Sequence, residues 1–252
     1  MTSYLGRFDL TGKKAVVVGG SRGMGRSMCL ALAEAGAEVM VVSRKEDACR
    51  AVAEEIQARG GRALSMAANI GSWDEADRLA EAAYDRLGSV DVLVNNAGMS
   101  PLYPSLVEIT EALYDKVMAV NLKGPFRLSC LIGTRMAAES GGSIVFVSSV
   151  SANRPGHGAV PYATAKAGIN ALTLQLAHEL GPRVRVNCIM PGAFLTDIST
   201  HWDMDAWQEL ANGYALQRGA DPDEIAGTLL YLASDASSFT TGSVVQVHGG
   251  HP

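Results

Sequence analysis

The sequence predicts an α/β fold, a parallel seven-stranded sheet with helices on both faces. Three observations point to it. Short β-branched runs alternate with longer Ala-rich stretches of helical period. Several short runs are apolar on both faces, as strands covered from two sides must be. A glycine-rich turn closes the first short run and opens the first helix.

The elements follow in order. The first strand is KAVVVG at 14–19, and a helix at 23–36 ends where Gly36 can take a left-handed conformation. EVMVVS at 38–43 is the second strand, followed by a helix at 45–59 and the strand RALSMAA at 62–68. The helix at 73–87 starts on a capping box, with Ser72 at the N-cap and Glu75 three residues on. VDVLVN at 90–95, a long helix at 110–137, SIVFVSS at 143–149, a helix at 161–180 and RVRVNCIM at 183–190 continue the alternation. A helix at 222–234 has Asp221 at its N-cap and Pro222 at its first position, and SVVQVH at 243–248 closes the sheet. Repeated strand–helix–strand units require right-handed crossovers. With no linker or low-complexity tract, one domain is expected over 1–252. Residues 192–220 break the rhythm, since about thirty residues intervene where a short connection would do. Such an excursion reads as a lid or binding loop. It carries Phe194, Trp202, Met204, Trp207 and Tyr214, side chains suited to an apolar substrate or a subunit contact.

Composition narrows the function classes. The chain has 252 residues, 48% hydrophobic and 19% charged, with a net charge of −5. That balance supports a globular core, and no basic run suggests a nucleic-acid partner. The four cysteines, Cys29, Cys49, Cys130 and Cys188, lack metal-ligand spacing and read as reduced thiols. His157, His178, His201, His248 and His251 form no metal set, so no metal is expected. No run has the length of a membrane span and no apolar leader precedes the domain, so a soluble cytoplasmic protein is expected.

VVVGGSRGMGRS at 16–27 ends a strand and opens a helix. Gly19, Gly23 and Gly25 let the backbone approach a pyrophosphate, with Ser21, Arg22 and Met24 between them, while the helix N-terminus offers N–H groups. It is not a P-loop, because Arg26-Ser27 stands where Lys-Ser/Thr is needed. An acid at the end of the second strand would bind the ribose hydroxyl of NAD. Ser43 stands there instead, followed by Arg44 and Lys45. Cations suit a 2′-phosphate, so NADP(H) is preferred, with NAD(H) the alternative.

VPYATAK at 160–166 sets Tyr162 four residues before Lys166, on one face of a helix. A cation beside a phenol favours phenolate, so a phenol pKa lowered toward working pH is expected.

Taken together, the glycine loop, the NNAG at 95–98 and the Tyr-x-x-x-Lys pair resemble the short-chain dehydrogenase/reductase family, nearly end to end. The resemblance implies a Rossmann-type doubly wound sheet and interconversion of a carbonyl and a secondary alcohol by hydride transfer. It implies that Tyr162 is the general acid/base, that Lys166 grips the nicotinamide ribose, and that Ser149 holds the substrate oxygen. Ser148 is the neighbour that could be mistaken for Ser149. It further implies that Asn121 positions a relay water. Asn69 and Ile70 match the adenine pair; Asn96, Ala97 and Gly98 line the adenosine side; Pro191, Gly192, Phe194 and Thr196 match the nicotinamide segment. The partner is a small-molecule carbonyl or alcohol. The long helices at 110–137 and 161–180 match those that pair between subunits, implying a homotetramer, or a homodimer. There are departures: Val18 replaces the threonine before the first loop glycine, Asn69 replaces a frequent aspartate, and Phe194 replaces a smaller aliphatic. A non-catalytic nucleotide-binding regulator on the same fold and an NAD-linked alcohol dehydrogenase are the competing readings.

Overall fold

The computed structural model describes residues 3–196 and 204–252. Seven parallel strands form one sheet in the order β3-β2-β1-β4-β5-β6-β7. They are β1 (Lys14–Val18), β2 (Glu38–Ser43), β3 (Arg62–Ala67), β4 (Val92–Asn95), β5 (Gly142–Val147), β6 (Val184–Pro191) and β7 (Val244–Val247). The strand order reverses direction between β1 and β4. That is the switch point where open α/β sheets bind ligands, beyond the carboxyl ends of the strands.

Eight α-helices occur among the described residues: α1 (Gly23–Glu34), α2 (Glu46–Ala58), α3 (Trp73–Leu87), α4 (Glu111–Met118), α5 (Gly124–Ala138), α6 (Val160–Leu180), α7 (Met204–Ala211) and α8 (Ala226–Ala233). Side chains alternate across each strand, so the sheet feeds two cores. Val16 and Val18 pack with α3, α5 and α6, while Ala15 and Val17 pack with α1, α2 and α8. Each large apolar side chain so buried contributes about 1.5–3 kcal/mol. The capping signals are realised. The Ser72 hydroxyl accepts from the Glu75 N–H, and Asp221 with Glu224 forms a complete box. Pro222–Ile225 is a 3₁₀ turn that leads into α8.

One expectation is corrected. The helix expected at 110–137 is divided by a π-helical turn at Ala119–Lys123. Pro125 has no N–H to give the Asn121 carbonyl, so an ordinary α-turn cannot continue there. Gly124 also packs tightly, since a Cβ there would lie 1.9 Å from the Ile70 carbonyl oxygen. The described part of the 192–220 excursion is folded against the rest of the chain. Its ends meet, with Leu195 N–H donating to the Ala220 carbonyl at 2.8 Å and Ala220 N–H donating to Ala193 at 3.0 Å. It contains α7, whose Trp207 packs with Ala211, Tyr214 and Ala193 in a small separate core.

Candidate active site

The glycine loop lies over the switch point. Gly19 takes φ +83°, and a Cβ on Gly25 would lie 1.9 Å from the Gly19 carbonyl oxygen. The Asn96 amide donates to that same oxygen at 2.9 Å, so the loop after β4 clamps the loop after β1. Gly19 and Gly20 N–H groups both donate to the Val42 carbonyl, at 2.7 and 3.1 Å. These bonds tie the loop to β2 without the hydroxyl that Val18 lacks. Arg22 precedes the first turn of α1 in extended conformation, and Met24 packs against the core beneath. The N-terminus of α1 thus faces a backbone cradle fit for a pyrophosphate.

Beside it lies a cleft of ≈ 520 Å³ that includes Arg44, Asn69, Val120 and Lys123 in its walls. Ser43 turns inward, its hydroxyl 3.1 Å from the Cys49 sulfur, while Arg44 is exposed. Asn69 accepts from the Gly71 N–H at 3.2 Å, and Ile70 is buried below it. The cleft dimensions and its cationic rim fit an adenosine moiety. Lys116 and Lys123 also line it and were missed in the sequence. The sequence offered no signal for them, because the π-turn between the two lysines breaks the seven-residue spacing that would put them on one α-helical face.

On the other side of the switch point, β5 and α6 bring Ser149, Tyr162 and Lys166 together. Ser148 and Ser149 face opposite ways. Ser148 is buried and donates to the Lys166 carbonyl at 3.1 Å, whereas Ser149 is half-buried, accepts from the Ser151 N–H at 3.2 Å and lies on the side of Tyr162, close enough to favour its phenolate. Lys166 is only 3% exposed. Its ammonium donates to the Val147 carbonyl at 2.7 Å and lies 5.7 Å from the Tyr162 ring centre. Gly98 adjoins both Asn121 and Lys166, since a Cβ there would sit 3.0 Å from the Asn121 Oδ1 and 3.4 Å from the ammonium nitrogen.

The electrostatics differ from the sequence expectation. Burial raises the Tyr162 phenol, with the Ser149 hydrogen bond opposing. Burial also pulls Lys166 down to about 8, against a smaller upward pull from Cys188. Desolvation favours the neutral form of both groups, and it outweighs the attraction expected of Lys166 toward phenolate.

Asn121 is fully buried in the π-turn. Its amide donates to the Met99 and Val117 carbonyls at 2.9 and 2.8 Å and accepts from Met99 N–H at 3.1 Å. The side chain is therefore committed to holding the loop after β4. Pro191 ends β6, and Gly192 packs on His248, where a Cβ would meet its Cα at 2.8 Å. Thr196 comes up against Gly23, so this segment does adjoin the glycine loop.

Two of the residues expected in the lid are covered by the chain itself. Phe194 and Trp207 are 5% and 8% exposed, packed inward in the core below the insertion and in the insertion's own core. Apolar surface with no covering partner is unfavourable in water, and these rings find cover within the chain. Met204 begins α7, and Trp202 lies outside the described residues.

A glycine-cradled helix terminus and a buried lysine one turn from a half-buried tyrosine, at the switch point of a parallel sheet, mark the chain as a doubly wound α/β oxidoreductase. The family model described as enoyl-(acyl carrier protein) reductase matches residues 18–251, and dehydrogenase/reductase SDR family member 4 of Homo sapiens is 34% identical over 98% of this chain and 90% of that protein. The chain belongs to the short-chain dehydrogenase/reductase family. The L-rhamnose 1-dehydrogenase (NAD(P)+) of Azotobacter vinelandii is 36% identical over 96% of this chain and 97% of that protein. A solved structure of 7α-hydroxysteroid dehydrogenase with NADH and 7-oxoglycochenodeoxycholic acid matches with TM-score 0.94 and 33% identity, covering 100% of this chain and 98% of that one. No helix among the described residues is long and apolar enough to cross a membrane, and no group of three or more metal-ligating side chains occurs among them.

Proposed function

We propose that the protein is an NADP(H)-dependent oxidoreductase that reduces a small-molecule carbonyl to a secondary alcohol, with Tyr162 as proton donor. The observation that carries this reading is the junction of Ser149, Tyr162 and Lys166 beside the glycine cradle. When bound, the nicotinamide supplies the hydride. Gly19, Gly23 and Gly25 would hold its pyrophosphate, Asn69 and Ile70 its adenine, and Asn96, Ala97 and Gly98 its adenosine side. Pro191, Gly192, Phe194 and Thr196 would flank the nicotinamide.

Tyr162 donates its proton to the carbonyl oxygen as that oxygen gains charge. A phenol raised by burial stays protonated at neutral pH, the form that reduction requires. Ser149 hydrogen-bonds the same oxygen and fixes its distance from Tyr162. Lys166 holds the ribose, and a buried ammonium drawn down to about 8 can exchange a proton near working pH. Asn121 fixes Met99, and with it the loop that borders Lys166. The absence of an acid at Ser43 and the exposure of Arg44 support NADP(H) over NAD(H). The family resemblance further supports a homotetramer, or a homodimer, in solution.

The test is fluorescence titration with NADPH and NADH on wild type and Arg44→Ala, followed by a carbonyl panel with Tyr162→Phe. NADPH is expected to bind more tightly, and Arg44→Ala to lose about ten- to a hundredfold of that preference, the loss of one charge-assisted hydrogen bond. Tyr162→Phe is expected to bind NADPH normally and lose about 10²–10⁴ in turnover. Equal binding of NADH with an indifferent Arg44 would instead establish the NAD-linked alternative. Normal turnover by Tyr162→Phe would remove the mechanism.

A further inference from the structure

Helix α6 carries both Tyr162 and Lys166, but it holds them differently. Lys166 lies one turn inside the helix and is anchored twice. Its ammonium donates to the Val147 carbonyl and its own carbonyl accepts from Ser148. Tyr162 lies in the first turn, where backbone N–H groups have no partner within the helix. The N-cap residue, Ala159, has no side chain that can cap, and Pro161 has no N–H at all. The first-turn N–H of Val160 is taken up from elsewhere in the chain. It donates to the Tyr103 hydroxyl at 2.9 Å, across 57 residues of sequence.

Tyr103 sits in the loop after β4. The same loop is gripped four residues earlier, where Asn121 holds both the N–H and the carbonyl of Met99. Tyr103 lines one small space with Leu113 and Val117 of α4 and Pro161 and Tyr162 of α6. One residue therefore caps the helix that carries Tyr162 and shares a small space with it.

We propose that Tyr103 is a positioning residue for Tyr162: its hydroxyl caps the first turn of α6 and it lines the same small space as Tyr162, so that the loop after β4 sets where the proton donor stands. Stability is not the purpose of this bond. Val160 is 51% exposed, so its N–H can turn to water when the cap is lost. What water cannot supply is a fixed acceptor that locates the turn. The inference rests on Tyr162 being the proton donor.

Tyr103→Phe tests it, because the ring remains and the acceptor goes. Three quantities are read on wild type and variant: hydrogen–deuterium exchange across 157–165, NADPH affinity, and kcat against KM on whichever carbonyl the wild type reduces. The expected result is faster exchange confined to the first turn of α6, with NADPH affinity unchanged. The kcat should fall about ten- to a hundredfold, as for a reacting group displaced by about 1 Å, with little change in KM. The melting temperature should stay within about 2 °C of wild type, as for a change at a solvated site. A purely structural residue would lower the melting temperature and leave kcat per folded molecule intact. Unchanged exchange, or unchanged kcat in a wild type whose turnover depends on Tyr162, overturns the proposal. If the wild type shows no turnover that depends on Tyr162, the oxidoreductase reading fails by itself. The exchange measurement then decides the cap alone: faster exchange supports it, and unchanged exchange overturns it.

Discussion

Lys166 shows how one buried side chain serves chemistry at a cost to the fold. Its ammonium is brought from an ordinary 10.5 down to about 8 by burial. The native state therefore binds the proton less tightly than the unfolded chain does. Below pH ~8 both states carry it, and the native state bears the full penalty, about 3 kcal/mol for a shift of this size. Between pH ~8 and ~10.5 the unfolded chain holds more protons, so this group adds stability as pH rises. Urea unfolding of wild type and Lys166→Met at pH 7 and 9.5 reads the effect directly. The difference between them should move in favour of wild type by about 2 kcal/mol over that range. A difference that stays flat would mean that Lys166 titrates normally. The sign could not be taken from the sequence. Four-residue spacing brings Tyr162 and Lys166 to one face, but only packing decides that desolvation outweighs their attraction.

At the scale of elements, the loop after β1 and the start of α1 act as one unit. Their contact leaves no room for a methyl group at Gly25, which would meet the Gly19 carbonyl oxygen at 1.9 Å and the Asn96 amide nitrogen at 2.6 Å. Both neighbours are fixed, one as backbone and one by its hydrogen bond to that same oxygen. Gly25→Ala should therefore cost about 1–3 kcal/mol, as overpacking does, and abolish fluorescence quenching by nucleotide. A variant that melts and binds like wild type would show that the loop yields easily. The motif spacing predicted this contact. It did not predict the division of the 110–137 helix, although Pro125 four residues after Asn121 was visible. Proline is tolerated near helix starts, so its position alone does not distinguish a new helix from a π-turn. The insertion is a related case. Aromatic side chains in a long loop suit a lid, but Trp207 and Tyr214 pack edge to face at 5.9 Å and cover each other.

At the scale of the whole molecule, helices cover both faces of the sheet, and its two edge strands are β3 and β7. Some large apolar side chains remain in water. Trp73 and Phe126 lie 6.4 Å apart on α3 and α5, and Phe239 is fully exposed shortly before β7. Such exposed apolar groups fit burial between subunits. Sedimentation equilibrium should give a mass near four times the 26.4 kDa chain. Half that value would establish the dimer, and a monomer at micromolar concentration would remove the expected assembly.

The sequence by itself determined the strand and helix succession, the parallel sheet, the glycine cradle, and Tyr162 with Lys166 as a candidate pair on one helix face. Each is a matter of period, spacing or local backbone freedom, which neighbouring residues settle. Only the tertiary structure decided where the Ser148 hydroxyl and the Asn121 amide are committed, that Phe194 and Trp207 turn inward, and that Tyr103 reaches Val160. These depend on groups far apart in the chain competing for the same space and the same hydrogen bonds. Burial then sets the charge on Tyr162 and Lys166, because desolvation is a property of everything packed around a group and not of its neighbours in sequence.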